Sequence, residues 1–124
     1  MKLVEVREMK CRIEELERRR ENLREVMELV GEIVPGLKCK VAAEIEQSEI
    51  ELENLRGEQE IKAAKLAAEI MARVATPARR AVLIKRYVQC KTMKEIARES
   101  GFCLRHLYRL SVSGAADFDS VDGI

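Results

Sequence analysis

Leu104, Arg105, Tyr108 and Arg109 are spaced so that a helix through them would carry two arginines and two large apolar groups on one outward face. Such a face has a definite chemistry: arginine reads guanine bidentately through O6 and N7, and an apolar side chain meets the methyl group of thymine. Cys103 stands at the cap of that helix and His106 at its edge. Upstream, Lys91, Thr92 and Lys94 surround a second helix start, where ammonium groups and free backbone N–H groups together hold phosphate. Arg79, Arg80 and Arg86 are further candidates for the same work. Residues 76 to 111 set nine bases, from Arg79 to Arg109, against only Glu95 and Glu99. A positive block this concentrated is the footprint expected of a surface that neutralises phosphates.

The surrounding residues predict the elements that would position these groups. Thr76-Pro77 opens a helix, with Thr as N-cap and Pro at the first helical position, and Val82, Leu83, Tyr87 and Val88 form its apolar face. Thr92-Met93-Lys94-Glu95 is a capping box, so a new helix starts at Met93. Gly101 supplies a left-handed turn residue, after which Leu104 to Leu110 resumes a helical pattern. Ala97 is small enough for the two helices to approach, and Ile96, Leu107 and Leu110 fill the space between them. The spacing predicts a helix-turn-helix, whose second helix enters the major groove with its N-terminal end. An αα-corner in a helical bundle has the same spacing and is the alternative.

The first two thirds of the chain read as two long amphipathic helices. In the first, Val6, Ile13, Arg20, Met27 and Val34 occupy one heptad seam position and Met9, Leu16, Leu23 and Val30 the other. Val34-Pro35-Gly36 interrupts the pattern, since proline removes a donor and glycine permits reversal. A second run follows through Val41, Ile45, Ser48, Leu52, Leu55, Gln59, Ala63, Leu66, Ala67, Ile70 and Val74, with a four-residue stutter after Leu55. A short connection favours an antiparallel hairpin of roughly 50 Å. The expected architecture is all-α: residues 1–75 form a long antiparallel coiled-coil hairpin that pairs with a second copy as a dimer, and residues 76–111 form the helix-turn-helix domain. Residues 112–124 are expected to be a disordered acidic tail, whose Asp117, Asp119 and Asp122 would screen the basic surface when DNA is absent.

Composition removes other classes. Of 124 residues 36% are charged, 23 bases against 22 acids, and with no Trp, two Phe, two Tyr, two Pro and six Gly the chain lacks the aromatic and β-branched runs and the turn residues of an all-β fold, which is excluded. No run approaches the ~20 apolar residues of a membrane span, and acids begin at Glu5, so the chain reads as cytoplasmic, without a signal peptide. Cys11, Cys39, Cys90 and Cys103 have no paired short spacing and His106 is the single histidine, so neither a structural zinc nor any other cofactor is expected. With no glycine-rich phosphate loop and no nucleophile–base–acid set, the expectation is binding rather than catalysis.

Leu83-Ile84-Lys85-Arg86-Tyr87-Val88, Met93-Lys94-Glu95-Ile96-Ala97 and Gly101-Phe102-Cys103-Leu104-Arg105-His106-Leu107-Tyr108-Arg109-Leu110 resemble the C-terminal half of a phage and prophage family. This family, the ArpU- and RinA-like late transcriptional regulators, joins a long N-terminal helical region to a helix-turn-helix similar to the fourth region of bacterial sigma factors. The resemblance covers about residues 80 to 110. It implies a phage- or prophage-encoded DNA-binding regulator acting in a bacterial host, with double-stranded DNA as partner and RNA polymerase as a second one. Three positions depart from the family pattern: Cys103 replaces a capping Ser, Leu104 replaces a polar or basic residue, and the run from Ser111 to Asp117 replaces a His and an apolar repeat. Two alternatives stand beside this reading: a DNA-packaging subunit of the small-terminase kind, and a coiled-coil interaction protein that does not bind DNA.

Overall fold

The computed structural model describes residues 2–30 and 35–120. They form five α-helices and, among the described residues, no strand: α1 (Glu5–Val30), α2 (Pro35–Arg73), α3 (Pro77–Leu83), α4 (Met93–Ser100) and α5 (Leu104–Ser120). A π-helical stretch, Ile84–Val88, prolongs α3. The chain divides into two compact units, Met9–Gln59 and a unit combining the residues up to Glu8 with those from Glu60 onwards.

In the unit Met9–Gln59 the helices run antiparallel. Glu17 pairs with Arg56 at 2.6 Å and Glu21 and Glu49 both reach Arg24, the cross-helix contact at 2.9 Å, so residue numbers rise along α1 as they fall along α2. These pairs are exposed and each contributes only about 0–1 kcal/mol, so they select register more than they stabilise. Stability comes from the seam, where Ile13, Leu16 and Leu52 form a buried cluster flanked by Leu55. Val41 and Ser48 are also buried, the Ser48 hydroxyl donating to the Glu44 carbonyl at 2.9 Å, while Met9, Arg20, Leu23, Met27 and Ile45 are half-buried. Every heptad position whose side chain is described therefore faces inward; Val30 and Val34 lie outside those residues. The predicted stutter falls where this unit ends.

The second unit departs from the expected boundary at residue 75. Val6 of α1, Leu66 and Ile70 near the end of α2 and Val74 just beyond it share one buried cluster with Leu83 and Phe118. The ends of the two long helices are thus part of the core on which α3 to α5 are built. A second cluster joins α3 to the helix-turn-helix: Val82, Met93, Ile96 and Leu107, with Ala97 and Leu110 packed against it.

The expectation of a disordered tail from residue 112 is corrected. Helix α5 runs on through Ser120, and its buried residues Leu107, Ser111, Gly114 and Phe118 follow one another at helical spacing as a single stripe. Ser111 and Gly114 are small because α3 lies against them: a Cβ on Gly114 would stand 3.0 Å from Leu83 Cδ1 and 3.1 Å from Leu83 Cγ. Beyond this narrow crossing Phe118, 1% exposed, fills the core, and the Arg73 guanidinium lies 4.7 Å over its ring. Asp117 pairs with Arg79 at 2.7 Å, so it braces α5 on α3 instead of standing in a free tail. Asp122 lies outside the described residues.

Candidate nucleic-acid interface

The turn between α4 and α5 has the local chemistry its sequence predicts. The Thr92 hydroxyl accepts a hydrogen bond from Glu95 N at 3.2 Å, capping α4. Gly101 takes the left-handed conformation, φ 76°, and its N–H donates to the Ala97 carbonyl at 3.0 Å. A side chain there would pay the cost of a positive φ, which glycine avoids. The Ser100 hydroxyl reinforces the turn, donating to the Ile96 carbonyl and accepting from Phe102 N. Helix α3 starts where expected, with Thr76 at the N-cap and Pro77 first in the helix, but the Thr76 hydroxyl makes no capping bond. The π-helical stretch closes through Gln89 N to the Ile84 carbonyl at 2.9 Å, and Cys90, the one non-glycine at positive φ among the described residues (57°), turns the chain into α4.

On this frame the basic residues sort into two groups. Arg79 pairs with Asp117, Arg80 donates to the carbonyls of Val74 and Ala75, and Arg86 donates to Ser111 Oγ at 2.6 Å while its guanidinium lies 5.3 Å from the Tyr87 ring centre. These three, expected as candidates for phosphate contact, instead hold the helices together. Lys91 and Lys85 both reach Glu99, at 2.7 and 3.5 Å. The hydrogen bond from Lys91 holds the Glu99 carboxyl below its ordinary value against desolvation, which opposes it, and the charge of Lys91 and the contact from Lys85 act in the same direction as that bond.

The other group is Lys94 and Arg98 on α4 and Arg105 and Arg109 on α5. All four are exposed and, among the described residues, make no ion pair or side-chain hydrogen bond. Each pair is spaced four residues apart, giving one exposed cationic row per helix. On α5 the row runs beside Leu104 and Tyr108, which are 41% and 49% exposed. His106 packs edge-on against Phe102, ring centres 4.9 Å apart, at the rim of the turn. Cys103 stands exposed just before α5, its carbonyl accepting from Leu107 N at 3.1 Å. Sequence reasoning assigned Arg98 no role; its spacing from Lys94 is the signal that would have found it.

None of the four cysteines forms a disulfide, and among the described residues no three His, Cys, Asp or Glu side chains cluster as a metal site. No helix among the described residues is long and apolar enough to cross a membrane. Comparison with protein-family models, curated proteins and solved structures finds no significant match.

Proposed function

We propose that this chain is a double-stranded-DNA-binding regulator of phage or prophage transcription, acting in the bacterial cytoplasm, which sets the N-terminal half of α5 in the major groove. The observation that carries this reading is the sorting of cations: those that brace the fold are paired, and those on the outer faces of α4 and α5 are not. Unpaired cations on a surface repel one another, and a polyanion is the partner that relieves this. Arg105 and Arg109 are the base-reading residues, Leu104 and Tyr108 lie beside them for apolar base contact, and Lys94, Arg98 and the α4 N-terminus with Thr92 meet phosphates. Transcription enters through the resemblance of residues 80 to 110 to the late regulators.

The protein acts as a dimer through the hairpin. Val26, Leu29, Leu37 and Ile50 are exposed outside the seam of the unit Met9–Gln59, Leu29 to 76%, and a second copy would cover them. RNA polymerase is a second partner on this reading, and Val112 of α5, 68% exposed, offers it an apolar contact. A ring-forming packaging subunit is the alternative that oligomer mass separates from a dimer.

Fluorescence anisotropy of labelled duplex DNA over a salt series tests the proposal, using wild type and the Arg105→Ala, Arg109→Ala double variant. Each bidentate arginine–guanine contact is worth about 1–3 kcal/mol, so the double variant should lose sequence discrimination and at least tenfold in affinity. Equal binding by both proteins would remove α5 from the interface.

A further inference from the structure

The start of α1, remote in sequence from the helix-turn-helix, meets it in space. A groove of about 340 Å³ within the second compact unit is lined by Arg7 of α1, by Lys91, Thr92 and Lys94 at the start of α4, and by Leu104 and Tyr108 of α5. Among the described residues, no acidic one lines it. Two of its cations are already engaged, Lys91 by Glu99 and Arg86 by Ser111. Arg7 is held differently, its guanidinium carbon 6.0 Å above the ring of Tyr87, a residue packed against the core. A contact of this kind restrains the charge without consuming N–H donors. Arg7 is otherwise exposed and, among the described residues, makes no ion pair or hydrogen bond.

We propose that Arg7, with Lys94 and the Thr92 hydroxyl, clamps a phosphodiester of the DNA backbone, so that α1 contributes directly to the DNA-binding surface. The inference rests on the reading of α5 as the recognition helix, because Leu104 and Tyr108 border the same groove. A phosphate seated there would meet a planar guanidinium with unused donors, an ammonium and a helix N-terminus. The clamp carries no base information. It acts on affinity and its salt dependence and leaves sequence preference alone.

The test is the same anisotropy salt series with Arg7→Ala, Arg7→Gln and Arg7→Lys, on one preferred duplex and one of scrambled sequence, with thermal unfolding by circular dichroism on each variant. One neutralised phosphate contributes about 0.9 to the slope of log affinity against log salt, which at roughly 0.1 M salt is about eightfold in affinity. Arg7→Ala and Arg7→Gln should therefore weaken both duplexes by up to about eightfold, flatten the slope by roughly 1, and keep the ratio between duplexes. Arg7→Lys should keep the slope. Unchanged affinity and slope in folded Arg7→Ala and Arg7→Gln, while the Arg105→Ala, Arg109→Ala variant loses binding, would overturn the clamp and leave the recognition helix standing. Failure of the wild type to bind any duplex at low salt would overturn both.

Discussion

Phe118→Ala separates a structural α5 from a helix that ends near Leu110. The ring is 1% exposed and packs in one cluster with Val6, Leu66, Ile70, Val74 and Leu83. Truncating a buried Phe costs about 3–5 kcal/mol, and the partly buried Arg73 guanidinium 4.7 Å over the ring adds about 0.5–1 kcal/mol. The expected loss is thus about 3.5–6 kcal/mol, a large part of the 5–15 kcal/mol typical of a domain. With a urea m-value of about 1.5–2 kcal/mol per M, the unfolding midpoint should fall by roughly 2–4 M. Urea titration followed by circular dichroism measures this, and Phe118→Leu, which keeps most of the volume, should cost under about 1.5 kcal/mol. A Phe118→Ala loss within about 0.5 kcal/mol, the size of a surface substitution, would refute the packing of residues 112 to 120 on the core.

Three further perturbations follow from the same geometry. Gly114→Ala gains about 1 kcal/mol of helix propensity but drives a Cβ against Leu83 Cγ and Cδ1 at a cost of about 1–3 kcal/mol, so urea titration should show net destabilisation, and a gain in stability would contradict the close crossing of α3 and α5. Glu99→Gln releases Lys91 and Lys85 and should raise DNA affinity by up to about eightfold for each lysine that reaches a phosphate; an affinity loss in the anisotropy assay would count against it. Because Glu99 titrates below its ordinary value of 4.5 when folded, the stability it contributes is complete above that pH and is lost as pH falls through the lower folded value; the variant should lack that part of the acid-limb decline in urea titrations at successive pH values. Replacing thymine by uracil in a preferred duplex should weaken wild type more than Leu104→Ala if the exposed Leu104 meets a thymine methyl, and equal losses in both would exclude that contact.

The long helices were legible because their signal is local and periodic. Heptad spacing placed Ile13, Leu16, Val41, Ser48 and Leu52 on one seam, and all five are buried. The α4–α5 turn was legible for a related reason: Thr92 caps its own helix, and Gly101 takes a conformation that glycine adopts without penalty. What escaped depends on distant neighbours. Ser111 and Gly114 look like helix breakers until α3 is laid against them, and only then is small size the requirement. The boundary at residue 75 failed because Val74, Leu83 and Phe118 share a core that no local pattern announces. Cation chemistry was the least legible part. Arg79 and Arg109 look alike in sequence, yet Arg79 is spent on Asp117, 38 residues away, and Arg109 is unpaired. Arg7 reaches the groove only through the packing of α1 beside Tyr87.

The most direct test of base reading by α5 is guanine N7 methylation interference on the duplex that wild type selects from a random library. Methylation at one or two guanines should block wild-type binding, and Arg105→Ala or Arg109→Ala should become indifferent to the guanine its arginine reads. Selection of no sequence from the library, or interference that persists unchanged in both variants, would contradict the account.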